Sequence, residues 1–400
     1  MAPNSATLSR WQVISCLMCI ATVAHGAGWP CHTIDQTSRG ADGVRLGDVN
    51  HDGFMDLVTG WEEGGVTRLS LNPGPDHVKD AWPSVTVGPA SNVEDAVLAD
   101  LDGDGALDVI SCCEGTTATM YVHWGPKETA NLLDAAAWKT QAIPATAGKQ
   151  MWMYCSPLQI DGAGGIDLLV GSKGPKAAVG WLASSGDPRD LTTWRYHKIH
   201  DAGWIMSLER DQPVGQKPQI LVTDRKGPTR SVYLLSLPRW KEWNRFNLES
   251  GKSEYMFGCI TQPAHTWAVA TRNGELKQFA RAILPTGSVA PAITVKHIPN
   301  PFSIQHGKAV AYGRIDDDST ADFVVSFNTT KHRGKPGVCW IKVDRTRTPE
   351  NWTTHDISGL AGKKFDRIEL LDIDSDGDLD VLTCEEVDNL GVIWYENPSG

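Results

Sequence analysis

A Trp followed five positions later by an aliphatic residue recurs along this chain, as Trp29…Ile34, Trp82…Val87, Trp138…Ile143, Trp194…Ile199, Trp243…Leu248 and Trp352…Ile357. A seventh copy, Ile293…Ile298, carries Ile in place of Trp, and successive copies lie 49–59 residues apart. A period of that length marks a chain built from copies of one supersecondary unit that cannot bury its apolar face alone. One grammar repeats between the marks. A short apolar strand is followed by a loop, then by a second strand beginning Asp-Leu-Val or a close variant. A polar hairpin with Gly leads to a third strand such as Val338-Cys-Trp-Ile341 or Val392-Ile-Trp-Tyr395, and the Trp segment supplies a fourth. Four strands per unit, seven times over, predict an all-β, seven-bladed β-propeller. The first Trp strand precedes the first unit, and the last unit (about 366–397) ends after its third strand. The N-terminal strand is therefore expected to complete the last blade and close the ring, leaving no long exposed edge. Sixteen Trp and 39 Gly suit that plan, with large side chains between blades and Gly at turns.

Three units carry a nine-residue loop of the form D-x-[DN]-x-D-G-x-x-D. These are Asp48-Val-Asn50-His-Asp52-Gly53-Phe-Met-Asp56, Asp100-Leu-Asp102-Gly-Asp104-Gly105-Ala-Leu-Asp108 and Asp372-Ile-Asp374-Ser-Asp376-Gly377-Asp-Leu-Asp380. Oxygens at positions 1, 3, 5 and 9 and a backbone carbonyl at position 7 (Phe54, Ala106, Asp378) form a ligand set for a hard cation such as Ca²⁺. Gly at position 6 accepts the positive φ of a sharp turn. An EF-hand starts the same way but needs a bidentate Glu at position 12 and flanking helices. Position 12 here is Thr59, Ser111 or Thr383, and strand-forming residues follow each loop, so the EF-hand is rejected. The loop decays in the middle blades. Blade three has Gln159 at position 1. Blade four has Glu209-Arg-Asp211 followed by an insertion that begins Gln212-Pro-Val-Gly215. Blade five (about 255–283) lacks the loop, and blade six has Arg314 at position 1 ahead of Asp316, Asp318 and Asp322. A guanidinium there stands ready to replace the ion by pairing with the carboxylates. About three structural Ca²⁺ sites are expected.

The run Gly47-Asp48-Val-Asn50-His-Asp52-Gly53-Phe-Met-Asp56-Leu-Val-Thr-Gly60 resembles the calcium-loop core of FG-GAP repeats, found in integrin α-subunit propellers and in secreted bacterial proteins with VCBS repeats. The Phe-Gly and Gly-Ala-Pro elements that name the repeat are not literally present. The resemblance implies that each metal loop joins the first two strands of a blade. It leaves function open, because such propellers serve adhesion, lectin-like binding and enzymes alike.

Residues 1–26 read as a secretory signal: Arg10 precedes an apolar run from Trp11 to Ala24, and small residues follow. The run is too short for a transmembrane span. A lipoprotein signal at Cys16 is disfavoured, because almost no apolar stretch precedes it. Residues 27–400 are then expected to form one propeller domain, monomeric and secreted or periplasmic. Extracellular Ca²⁺ would fill weak loops there. Seven cysteines remain (Cys31, Cys112, Cys113, Cys155, Cys259, Cys339, Cys384), an odd number that leaves at least one unpaired. The formal charge is −11 and no basic stripe is present, which argues against nucleic acid.

Alternating strand direction puts the acidic loops on one face of the ring. The hairpins between second and third strands lie on the other, with the blade-to-blade connections. That second face gathers Trp61, Glu62, Glu63, Glu114, Trp152, Lys173, Arg225, Lys226, Lys308 and Glu385. Acids from blades one, two and seven would face cations from blades three to six. Such a mouth could bind a carbohydrate or another extracellular partner by Trp stacking and charged hydrogen bonds. The alternative is an enzyme, a polysaccharide lyase or hydrolase, using the same groups as acid, base and anion stabiliser. The histidines of the Trp strands, His32, His197, His297 and His355, read as strand-surface positions.

Overall fold

A computed structural model describes residues 28–399 apart from 185, 212–217, 240–241, 262–265, 284–288, 299, 301, 305 and 346–350. Residues 1–26, read from sequence as a secretory signal, and the blade-four insertion lie outside the described residues. These residues form seven four-stranded antiparallel sheets, six of them contiguous in sequence, over 41–89, 93–142, 151–201, 205–250, 255–298 and 307–356. The seventh combines Phe365–Leu371, Asp380–Glu385 and Gly391–Tyr395 with the N-terminal strand Cys31–Asp35. The chain is thus a seven-bladed β-propeller closed by its first strand. Cys31 pairs with Tyr395 and Asp35 with Val392. Ile34 is buried behind this strand, and Arg68 of blade one donates to Asp35 at 2.6 Å, tying the closure to the next blade.

Burial explains the strand sequences. The second strands Asp56–Trp61, Asp108–Cys113, Asp322–Phe327 and Asp380–Glu385 are buried at every position, because neighbouring blades cover both faces. They read as near-continuous apolar runs. The fourth strands lie at the rim and alternate, as in Asn351–Asp356.

The repeated Trp has a defined task just before the fourth strand. Trp82, Trp138 and Trp194 are buried, and each indole N–H donates to a carbonyl of the preceding connection: Val78 at 3.0 Å, Leu132 at 2.9 Å and Pro188 at 3.0 Å. Large apolar area and a satisfied N–H together fasten the outer edge of the blade. The histidines one strand over are structural partners of a second Trp column. His32 stacks on Trp394 with centroids 4.5 Å apart, His197 on Trp181 at 4.8 Å and His355 on Trp340 at 4.5 Å. All seven described cysteines are free thiols. No helix among the described residues is long and apolar enough to cross a membrane.

Between blades one and two a buried polar chain runs from Thr67 through Ser111 to His123 and Thr140, with steps of 2.7, 2.9 and 2.8 Å. Burial pushes the His123 imidazole from its ordinary 6.5 down to about 3. A neutral His in the fold and a titrating one in the unfolded chain make a proton linkage. The stability it contributes is fully present above pH 6.5 and is lost as pH falls from 6.5 towards 3. His123→Gln should therefore flatten that part of the stability–pH curve, measured by urea unfolding at stepped pH. Separately, Trp138→Ala should cost about 3–5 kcal/mol, read from the same unfolding curves at pH 7.

Candidate functional site: acidic loops on one face, a charged mouth on the other

Each acidic loop joins the first and second strands of its blade. Loop one is folded by its own carboxylates. Asp48 accepts from the Asp52 and Gly53 amides at 3.1 Å each, and Asp52 accepts from Phe54 at 2.8 Å. Asn50 donates to Asp52 at 2.8 Å. Loop two repeats this pattern, with Asp100 accepting from Asp104 and Gly105 at 3.1 Å each. In loops two and seven, Asp100, Asp102 and Asp108, and likewise Asp372, Asp374 and Asp380, each bring a carboxylate oxygen within 4.8 Å of the others. Oxygens of Asp372 and Asp374 are buried without any hydrogen-bond partner. Orphaned carboxylate oxygens converging at that distance fit a cation. Asp376 lies at position 5 of that same loop, where its carboxylate accepts from the Asp378 amide at 3.2 Å.

Position 9 differs from the other three. Asp56 accepts from Val49 and Asn72, both at 2.8 Å. Asp108 accepts from Leu101 at 3.1 Å and Gly125 at 2.9 Å, and Asp380 from Ile373 and Asn397, both at 2.9 Å. Each joins its loop to the residue just beyond the third strand. Asp167 does the same in blade three, where position 1 is Gln159, whose amide instead bridges Gly162 at 2.8 Å and Gly165 at 2.7 Å. Asp322 does so in part in blade six, accepting from Val343 at 2.8 Å. Position 9 is thus a strand-bridging residue before it is a ligand. Blade six also corrects the expected ion substitute. The Arg314 side chain donates to the Asp318 carbonyl at 3.3 Å, whereas Lys342 pairs with the Asp316 carboxylate and lies 3.4 Å from that of Asp318.

On the opposite face a cavity of about 280 Å³ opens at the channel mouth, lined by Asp42, Glu62, Glu94, Glu114, Lys173, Arg225, His306, Lys308, Lys364 and Asp366, with Tyr154, Trp204 and three methionines. A β-bulge near the start of every first strand aims this lining inward. The register shifts at Val93/Asp95, Trp152/Tyr154, Ile205/Ser207, Gly307/Val310 and Phe365/Ile368 bracket Glu94, Met153, Met206, Lys308 and Asp366. Deeper in the channel, Arg367 of blade seven crosses to Glu209 of blade four with two bonds of 2.8 and 3.1 Å, and Arg45 pairs with Asp95 at 2.9 Å.

Ion pairs organise the walls of the cavity. Lys173 bonds Glu94 at 3.0 Å and pairs with Glu114, Lys308 pairs with Asp366, and Lys364 pairs with Glu386. Arg225 bonds Glu254 at 3.1 Å. Burial opposes the Lys364 ammonium, yet Asp366, Asp42, Glu94 and Glu62 carry its pKa up to about 12. Burial, then the Asp366 and Glu94 charges, push the Asp42 carboxyl well above the usual range, and burial with Glu94 raises that of Glu62. His306 holds a φ of 113°, a conformation that strains any side-chain-bearing residue, and its carbonyl is fixed by the Asn328 amide at 2.9 Å.

Of the residues singled out from sequence, Glu62, Glu114, Lys173, Arg225 and Lys308 line this cavity. Lys226 lies beside it, 4.4 Å over the Trp204 ring, which Lys173 and Arg225 also approach at 4.5 and 4.6 Å. Trp61 and Trp152 are wholly buried, and the Trp152 indole donates to Thr146 at 3.1 Å, so neither offers a ring for stacking. Glu385 is buried and accepts from the amides of Lys363, Lys364, Val387, Asp388 and Leu390, a hairpin-organising role. Glu63 is exposed and faces Arg39 at 3.2 Å. Glu94, Lys364 and Asp366 also line it, from segments that the sequence reads as blade-to-blade connections on this face. Asp42, inside the first strand of blade one, is the lining carboxylate that sequence reasoning misses.

A family profile described as an FG-GAP-like repeat matches residues 48–111, which span the first two acidic loops. No curated protein matches the chain. Among solved structures, the chain is similar to the β-propeller domain of Cps50 (Swd1) from Myceliophteria thermophila, at 10% identity and a TM-score of 0.55, over 92% of this chain and 100% of that one. That likeness concerns the fold alone.

If position 9 bridges strands, Asp167→Ala should destabilise blade three by about 2–5 kcal/mol, one to two buried N–H groups being left unpaired, with or without divalent cations. Asp104→Ala should lower stability more when cations are present than in chelator, where the loss is that of its bonds to Ala106 and Arg189, both at 3.0 Å. Thermal unfolding of both variants in chelator and in millimolar CaCl₂ distinguishes the two roles.

Proposed function

We propose that this protein is a calcium-stabilised propeller that binds a polar, hydroxyl-rich ligand, most simply an extracellular carbohydrate, in the mouth opposite its acidic loops. The observation that carries this reading is the cavity itself. Carboxylates from blades one, two and seven and cations from blades three, four, six and seven converge on about 280 Å³. Carboxylates accept from sugar hydroxyls, and Lys and Arg donate to ring or carboxylate oxygens. The Trp204 ring is attended by three cations, so charged hydrogen bonds rather than stacking carry recognition. Secretion, proposed from the N-terminal sequence, agrees with weak Ca²⁺ loops at Asp48, Asn50, Asp52 and Asp56, at Asp100, Asp102, Asp104 and Asp108, and at Asp372, Asp374, Asp376 and Asp380.

A second reading has one specific support. Glu62, with its raised pKa, shares the cavity with the Glu114–Lys173 pair. A carboxyl whose pKa is raised, beside a fixed ammonium, is the equipment of a lyase or hydrolase acting on an anionic polysaccharide. Glycan-array binding run in parallel with a turnover screen of anionic polysaccharides separates the two. Binding without turnover, lost in Lys173→Met, is the expected result. Turnover abolished by Glu62→Gln would favour the enzyme, and neither binding nor turnover would refute the reading. Chelation should remove about 2.7 kcal/mol per loop that had been held at a hundredfold excess of Ca²⁺ over its Kd, visible as a lower Tm.

A further inference from the structure

The cations that line the mouth leave part of its negative charge unanswered. Lys173 is engaged by Glu94 and Glu114, Lys308 by Asp366, Lys364 by Glu386, and Arg225 by Glu254. Two carboxylates of the same lining have no such partner. Asp42 is only 5% exposed, and neither its carboxylate nor that of Glu62 makes a direct hydrogen bond or ion pair with a described residue, Lys364 acting on both only through its charge. Burying a carboxylate without a partner is costly, so a site that keeps one is arranged around something else. Glu62, Glu94 and Glu114 come from three different segments, and each brings an oxygen within 4.8 Å of the others.

We propose that Glu62, Glu94 and Glu114, with the buried Asp42 beside them, form a divalent-cation site separate from the acidic loops. Its ligands are all carboxylate oxygens, the set preferred by Ca²⁺, Mg²⁺ and Mn²⁺. Without the ion, Lys173 holds Glu94 and Glu114 together. Its ammonium also lies 4.5 Å from the Trp204 centroid, so the ring retains it when a cation takes over the carboxylates. The bound ion then offers open positions to a sugar carboxylate or to vicinal hydroxyls. This last step rests on the carbohydrate reading of the mouth, whereas the ion site does not.

The test is a Mn²⁺ titration of the full chain, stripped of metal, with free Mn²⁺ followed by electron paramagnetic resonance and no glycan present. The wild type is compared with Glu62→Gln/Glu94→Gln, with the loop variant Asp52→Ala/Asp104→Ala/Asp376→Ala, and with the combination. The mouth variant should bind one equivalent fewer than the wild type. The loop variant should keep one equivalent that the combination loses. Should the double Gln variant fail to fold by circular dichroism, Asp42→Asn, which leaves the Lys173 pairs intact, should weaken a single equivalent at least tenfold. Unchanged stoichiometry and affinity in the mouth variants, with every equivalent removed by the loop substitutions, would overturn the site. Failure of glycan binding alone would leave it standing.

Discussion

One buried aspartate at the head of the second strand carries much of each blade. Asp56, Asp108, Asp167 and Asp380 each accept one amide from the loop before the strand and one from beyond the third strand. A single side chain therefore fixes three segments that no ladder bond connects. Its removal strands buried N–H groups, the more expensive way to lose a hydrogen bond. Because that role needs no ion, the remaining loop positions are free to change. Gln159 folds its loop through amide bonds, and Lys342 enters the loop of blade six. Blades four and five lack the aspartate, their second strands beginning at Gln219 and Thr266. There Asp211 of blade four accepts from the Trp267 indole of blade five at 2.9 Å, linking the two blades directly.

The two faces of the ring thereby separate their duties. On the loop face, carboxylates gather locally, within a single turn of chain. On the mouth face they are assembled from several blades, and no short segment contains the site. The bulges make that assembly work, because one extra residue per first strand rotates a side chain from the blade interface into the channel. Methionines supply the same column in blades three, four and five, so the polar lining is confined to an arc.

Strand number, blade number and closure were all legible from a repeat whose Trp packs at the outer edge of the blade, buried at Trp82, Trp138 and Trp194 and partly buried at Trp29, Trp243 and Trp352. The acidic loops were equally plain, since their ligands are contiguous. The mouth was only partly readable. Hairpin and connection residues such as Glu62, Lys173 and Asp366 announce themselves between strands, but Asp42 sits inside a strand whose alternation is broken by a bulge. A period-2 reading assigns it to a blade interface. Trp61 failed in the opposite sense, since it adjoins a hairpin yet closes the fully buried second strand of blade one. Lys342 escaped because it lies on a third strand, 26 residues after Asp316.

The closing strand has a mechanical corollary. Cys31, where the chain enters the ladder, is opposite Tyr395, where it leaves. Tension applied through the two ends would therefore load one rung of that antiparallel pair at a time and peel it, instead of shearing all rungs together. Once Asp35 parts from Arg68, blade seven would be left with three strands and an open edge. Pulled through its ends, the ring would yield first at its clasp, while force entering through the mouth or the loops would be borne by whole blades.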